Sequence, residues 1–265
     1  MPTAYSVLPD RFGDDRHGII EAGLETAGWR VERGFGNPGS PADVLITWTV
    51  HRGLKESNAR AFEAAGGRVL VCEEAYFRRV NGEKHFAIAL SDHNGAGRWY
   101  VGGPERWASF GIEVKPWRKY GHHILVREQR GIGSAKMASP PGWHDDVMAR
   151  LRAMTDRPLV FRAHPKSRAY PDKAVRQPPL EQALQGAHAV VTWASSIAGH
   201  ALVAGVPVFY EAPHIVCEGA CKRGLADIES PATGDRLPAL ERLAWAQWSI
   251  SEIERGRPFR HLLER

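Results

Sequence analysis

Apolar residues in this chain fall into short continuous runs separated by stretches of helical spacing, and the two patterns alternate. Ala4 to Leu8 is a first short run. From Ile19 to Ala27 the apolar and small residues stand at helical spacing (Ile19, Ile20, Gly23, Leu24, Ala27), and Gly28 supplies the stop. Trp29 to Glu32 is a second strand. Val44 to Trp48 is continuously apolar, as in strands buried on both faces of a parallel sheet. Lys55 to Ala65 reads as a helix ending at Gly66-Gly67, and Arg68 to Cys72 as a buried strand running into Glu73-Glu74. This is the rhythm of a doubly wound α/β domain. Ligands in such sheets sit beyond the carboxyl ends of the strands, so the loops Asp10–Gly18, Trp48–Arg52 and Glu73–Phe77 are expected to point into a common cleft. Phe86 to Leu90 is a further strand, and it delivers the polar turn Ser91-Asp92-His93-Asn94-Gly95.

From Gly102 to Gly121 the pattern lapses into Pro, Gly, Trp and Arg without a period, which reads as a linker or an acceptor-facing loop. The α/β rhythm then restarts. Strands are expected at His123–Val126, Pro158–Arg162, Ala189–Val191 and Pro207–Tyr210. Helices are expected at Asp145–Thr155, Leu180–Gly186, after Ser196 as far as Ala204, and from Leu237 to Glu254. On that last helix Trp245 and Trp248 would share one face as core residues. The pattern predicts an α/β chain of two successive Rossmann-like lobes, residues 1–120 and 121–265, with the active site in the cleft between them.

Composition narrows the class. A chain of 265 residues, 43% hydrophobic and 25% charged, is that of a soluble globular protein. No apolar run reaches membrane-spanning length, and the N-terminus has no basic region followed by an apolar core. No membrane partner is expected. Three cysteines without metal-site spacing point to reduced thiols and a cytoplasmic location. The net charge of +5 favours an anionic partner (nucleotide, polyanionic glycan or nucleic acid), although excess Arg also serves as a solubilising surface.

Four motifs carry chemistry. Asp92-His93 places a titratable pair on a turn, where a general base for an acceptor hydroxyl is expected; Glu73 and His17 are reserves. Arg130, Gly131, Gly133 and Ser134 follow a strand and suit a phosphate, without completing a dinucleotide fingerprint or a Walker loop. In Arg162-Ala163-His164-Pro165-Lys166, the proline holds His164 extended, so that His164 and Lys166 suit a diphosphate. Ser195 and Ser196 open a helix with His200 one turn later, offering hydroxyls and backbone N–H groups to phosphate. Alone, that last unit reads as ordinary packing with a serine cap. It lacks the G-x-S-x-G of a nucleophile elbow, which disfavours acyl hydrolysis.

Three ordered stretches resemble a known family. Val191-Thr192-Trp193-Ala194-Ser195-Ser196, Ala201–Val208 with its Gly205-Val206-Pro207-Val208, and Leu243–Ile253 are similar to the C-terminal half of bacterial capsular-polysaccharide Kdo transferases, as is Arg162-Ala163-His164-Pro165. The likeness spans residues 123–260. It implies a GT-B-like glycosyltransferase in which Ser195, Ser196 and His164 contact the donor phosphates and the Trp-rich terminal helix packs across both lobes. His200 departs from the glutamate common in that family at the donor-ribose position. The expected co-substrate is a nucleotide-sugar, with no further cofactor and no metal. The expected acceptor is duplex DNA bearing a hydroxymethylated base, because Arg98–Arg118 mixes cations with aromatics as nucleic-acid grooves do and phage-type DNA glycosyltransferases fit a compact basic chain. A capsule or lipopolysaccharide glycan is the alternative acceptor, and a non-catalytic nucleotide or nucleic-acid binder the rival class.

Overall fold

In the computed structural model, which describes residues 1–9, 16–50 and 52–264, the apolar runs become the strands of two separate sheets. The chain starts with β1 (Thr3–Ser6), α1 (Arg16–Thr26), β2 (Arg30–Arg33), β3 (Val44–Trp48), α2 (Leu54–Ala64), β4 (Arg68–Val80), β5 (Glu83–Leu90) and α3 (Glu105–Ser109). It continues through β6 (His123–Arg127), α4 (Trp143–Arg152), β7 (Leu159–Arg162), α5 (Pro171–Arg176), α6 (Leu180–Leu184), β8 (Ala187–Thr192), α7 (Ile197–Val203), β9 (Val208–Tyr210) and β10 (Lys222–Arg223). It ends with α8 (Leu237–Ala244), β11 (Gln247–Ser249), α9 (Ile250–Glu254) and α10 (Arg257–Leu263). Two compact units result: Met1–Phe110 with Gly133–Ala135 and Glu241–Arg265, and Gly111–Ile132 with Lys136–Leu240. The boundary expected at residue 120 lies inside the second of these. Among the described residues no helix is long and apolar enough to cross a membrane.

The first sheet has the order β11-β5-β4-β3-β1-β2. Its β2, β1, β3 and β4 are parallel, whereas β5 and β11 are antiparallel. Here the sequence expectation needs correction. Glu73–Phe77 is not a loop at a strand end but the middle of β4, which runs on to Val80 and turns back into β5. The turn is Asn81-Gly82, both residues at positive φ (52° and 79°), the left-handed pair that a two-residue hairpin demands. Of the Asp10–Gly18 loop, residues 10–15 lie outside the described residues. On one face of the sheet Leu45, Val69 and Val71 pack with Ala59 and Phe62 of α2. α1 packs with α9 and α10, and it comes so close to α9 that a Cβ on Gly23 would fall 2.1 Å from the Ile253 carbonyl oxygen.

The expected helix Leu237–Glu254 is also corrected. It breaks after Ala244, and Gln247–Ser249 leaves the helix to pair antiparallel with Ala87–His85 of β5. Ser249 then caps α9 reciprocally with Glu252, the S-x-x-E box. Trp245 and Trp248 therefore do not share a helix face; their rings meet edge-on at 5.9 Å. Two interactions hold this segment. Gln247, fully buried, accepts from Phe77 N (3.0 Å) and donates to Phe77 O (3.2 Å), serving both backbone groups where the β4–β5 register slips. Arg106 of α3 donates to Ala244 O, Gln247 O and both Glu252 carboxylate oxygens at 2.6–2.9 Å, with its guanidinium 4.0 Å over Trp248.

The second sheet has the order β10-β9-β8-β6-β7, and all its pairings are parallel. Ile124, Val126, Ala189, Val191 and Phe209 pack against Trp143, Val147 and Leu151 of α4 in one cluster.

Arg106→Met keeps the aliphatic stem but strands Glu252, which is 16% exposed, without its cation. Breaking a buried pair from one side costs roughly 3–5 kcal/mol. We expect the denaturant transition of the first unit to fall by about 3 kcal/mol, and a loss below about 1 kcal/mol would show that Arg106 does not hold the terminal segment.

Candidate functional site

Because every pairing in the second sheet is parallel, β6, β7 and β8 deliver their following residues at one edge. Glu128, just past β6, is buried; one carboxylate oxygen accepts from His164 N at 2.6 Å and the other from Ser167 Oγ at 2.8 Å. That clamp ties the Ala163–Ser167 turn to the neighbouring strand. Within the turn, Lys166 N donates to His164 Nδ1 at 2.9 Å, so the neutral imidazole carries its hydrogen on Nε2 and is a donor there. Lys166 is exposed. Past β8, Thr192 Oγ1 accepts from Gln129 Nε2 (3.0 Å) and from Ser195 N (3.2 Å). Ser195 Oγ accepts from Ile197 N at the start of α7 (3.3 Å). Ser196 is exposed, and His200, one turn on, is half-buried.

The charge at this edge is unbalanced. Arg127 is buried, and its guanidinium donates to the carbonyls of Arg162 (3.2 Å) and Ala163. Burial first, then repulsion from Arg162 and Arg130, pulls its pKa down to about 10. Burial also lowers Arg130 and Arg162. The carboxylates acting on these three arginines are Glu128, which already accepts two bonds, and Glu181, which acts on Arg162. An anion arriving there would relieve the mutual repulsion. Arg127, Glu128, Gln129 and Thr192 were not singled out from the sequence. The signal available was a charged pair immediately after an apolar parallel strand.

The Arg130–Ser134 stretch does not form one cradle. Gly131 stays in the second unit, its N–H bonded to Ser139 Oγ at 3.2 Å. Gly133–Ala135 counts with the first unit: Gly133 O accepts from Arg52 N (2.9 Å), and Ala135 N donates to the Glu56 carboxylate (2.9 and 3.1 Å). Ser134 is fully buried, and its hydroxyl has no hydrogen-bond partner among the described residues.

In the first unit Glu73, Asp92 and His93 come together. Glu73 shares the α2-facing side of β4 with Val69 and Val71, since alternate residues face one way. Ser91 and Asn94 adopt left-handed backbone (φ 69° and 54°), and this turns the chain so that Asn94 N donates to Glu73 Oε1 at 3.3 Å. Asp92 Oδ1 accepts from His93 N (2.9 Å) and lies 3.1 Å from His93 Nδ1. Its other oxygen takes Arg60 Nη2 at 3.0 Å, and Arg60 Nη1 also donates to Ser91 O and Glu63, both at 2.9 Å. The environments diverge accordingly. Burial would raise Asp92, but the bonds and charge of His93 hold it below the usual carboxylate range. Burial raises Glu73 against the pull of His93. Burial would lower His93, but the charges of Glu73 and Asp92 carry it above its ordinary value. Buried His17 does not join this group. It lies on the α1 face with Ile20 and Leu24, and adjacent Arg16 pairs with Glu74 (2.9 Å), which alternation turns away from Glu73.

Within Arg98–Arg118, Arg98, Tyr100 and Lys115 are exposed, whereas other cations and aromatics are internal. Trp99 and Trp107 are buried, Trp99 Nε1 donates to Arg242 O at 2.9 Å, and Arg106 is enclosed as described. Arg236 lies 4.0 Å over Trp117, and Arg118 donates to Leu184 O and Ala187 O (2.6 and 2.9 Å). Trp99, Trp107, Arg106 and Arg118 of this segment thus serve packing, which lends no support to a nucleic-acid groove. Among the described residues no cluster of three His, Cys, Asp or Glu side chains is arranged to hold a metal ion.

No family model matches the chain, and no curated protein does. Solved structures do. KpsC β-Kdo 2,7 transferase of Thermosulfurimonas dismutans superposes with a TM-score of 0.61 at 14% identity, covering 97% of this chain and 98% of that one. KpsC β-Kdo 2,4 transferase of the same organism gives 0.53 at 14% identity, over 93% and 90%. The chain has the fold of these glycosyltransferases.

His93 is expected to titrate above 6.5 by NMR, and in Asp92→Asn below its wild-type value. Its pKa is raised on folding, so its contribution to stability is complete below pH 6.5 and fades as pH rises through the folded value. An unchanged His93 titration in Asp92→Asn would show that the two side chains are not coupled.

Proposed function

We propose that the chain is a glycosyltransferase that moves a sugar from a nucleotide-activated donor to a hydroxyl of a glycan acceptor. The observation that carries this reading is the positive excess at the second sheet's carboxyl edge, where Glu128 holds the His164 turn among Arg127, Arg130 and Arg162. That edge suits the phosphate of a nucleotide-sugar. His164 Nε2–H and Lys166 would donate to phosphate oxygens, with the Ser195-Ser196 turn beside them. These donors stabilise negative charge as the nucleotide leaves, and they work best when preorganised. His200 stands on α7 where the resembled family has a glutamate for the donor ribose. As a neutral or charged imidazole it offers a different set of bonds to the nucleoside.

The first unit would supply the acceptor's base. Asp92, anionic and held by Arg60 and His93 N–H, is a fixed negative charge beside His93. Glu73 and His93, both raised and facing each other's charge, would take the proton from the acceptor hydroxyl. Asp92 would then orient and charge-stabilise His93. The two KpsC neighbours are Kdo transferases, which supports a glycan acceptor over duplex DNA.

Titration with free nucleotides and a panel of nucleotide-sugars, followed by assay of nucleotide release, tests this reading. His164→Ala is expected to weaken nucleotide-sugar binding by roughly 10- to 100-fold, the loss of one charge-assisted or strong donor to phosphate. Asp92→Asn is expected to bind donor normally yet lower transfer by about 10²–10⁴-fold. Its acid limb should move to lower pH, because His93 loses a charge that raises its pKa. Wild-type turnover in Asp92→Asn, or nucleotide binding indifferent to His164, would remove the corresponding half of the proposal.

A further inference from the structure

We propose that the first unit carries a second binding site, for a small anionic ring compound, in the cavity between the start of β4, the end of β5 and α10. The cavity measures about 560 Å³. That lies within the roughly 300–1,000 Å³ typical of small-molecule pockets. Its polar walls are Glu63, Arg68, Ser91 and Arg98, and its aromatic wall is Trp99 and Tyr100.

Two cations at this cavity have no carboxylate partner among the described residues. Arg68 donates Nη1 to the Leu263 carbonyl at 2.5 Å, while its Nε is buried with no hydrogen-bond partner. Burial of this guanidinium lowers its pKa, the mark of a cation held against its solvation cost. Arg98 is exposed and meets only a neutral group, Ser91 Oγ at 2.8 Å. Among the described residues neither guanidinium is paired with a carboxylate. Glu63, the acid on this wall, instead takes Arg60 at 2.9 Å. Two unneutralised guanidinium groups in one concave site call for a carboxylate or phosphate, which they bind with charge-assisted bonds.

The aromatic wall adds the ring. Trp99 is pinned by its indole bond to Arg242 O (2.9 Å). Tyr100 is held through its carbonyl, 2.9 Å from His261 Nε2, and packs edge-on to that imidazole at 6.2 Å. Such fixed rings beside a cation recognise a flat or ring-shaped body at little entropic cost. Ser91 is common to this cavity and to the Glu73–Asp92–His93 group, since its Oγ faces Arg98 and its carbonyl accepts from Arg60. The site is nevertheless distinct from that group and from the His164 edge, and it stands independently of the donor reading.

Calorimetric titration of the full chain with glucuronate, glucose 6-phosphate, glucose and inorganic phosphate tests the proposal. At least one charged sugar should bind about tenfold more tightly than glucose and than inorganic phosphate, a difference of about 1.4 kcal/mol. Which of the two binds identifies the anion as carboxylate or phosphate. Arg98→Gln, an exposed substitution, should weaken that binding at least tenfold, while His164→Ala leaves it unchanged. Failure of both charged sugars to bind, equal affinity for glucose or for inorganic phosphate, or indifference to Arg98→Gln would overturn the site. Loss of binding in His164→Ala would overturn it too, by assigning the anion to the second unit.

Discussion

Burial of the Arg106 guanidinium determines where the end of the chain goes. A guanidinium enclosed in protein needs all of its donors met and its charge opposed. Every partner that does this for Arg106 comes from the terminal segment: two carbonyls, the Glu252 carboxylate and the faces of Trp245 and Trp248. Once that segment is held, Gln247 reaches the backbone of Phe77 where the β4–β5 ladder slips. The path of β4 follows, and β4 is the strand that carries Glu73. An interaction remote from the candidate base thus sets the strand on which the base sits.

The two units solve opposite electrostatic problems. In the first, two acids and a histidine are packed together, and the arrangement separates their roles. Asp92 receives a guanidinium and an N–H and stays ionised, while Glu73 and His93 are moved towards values suited to proton exchange. In the second, three arginines outnumber their acids, Glu128 being already occupied and Glu181 acting on Arg162, so the local field favours an incoming anion. Pairs of groups pushed apart in pKa mark acid–base work, and unbalanced cations mark anion binding.

The parallel core of both sheets was legible because continuous apolar runs leave few alternatives: Val44–Trp48 and the strands flanking Ser195 stand where the pattern puts them. What escaped detection was local chemistry overridden by periodicity. Asn81-Gly82 is a strong hairpin signal, yet the polar Glu73-Glu74 reads as the end of the strand that begins at Arg68. Ser249-x-x-Glu252 is a helix start, but it is embedded in a stretch whose Leu, Ala and Trp spacing continues a helix. The pairing of Gln247 with the backbone of Phe77 is a contact across most of the chain, and no local pattern encodes it. The Glu73–Asp92–His93 group was half legible. The Asp-His turn stood out, whereas Arg60 depends on how α2 crosses the sheet.

Basic residues illustrate why composition pointed to a nucleic acid and structure does not. Net charge counts every arginine alike, but their partners differ. Arg106 and Arg118 are satisfied by carbonyls, a carboxylate or tryptophan rings within the fold. Such cations present little field to a polyanion, however aromatic their surroundings. Arg127, Arg130 and Arg162 outnumber the acids at one sheet edge, and Arg68 and Arg98 share one cavity with no carboxylate partner among the described residues. Each of these two groups is small beside a duplex backbone, whose charges repeat along a line. Compact clusters of this kind suit discrete anions, one at each place.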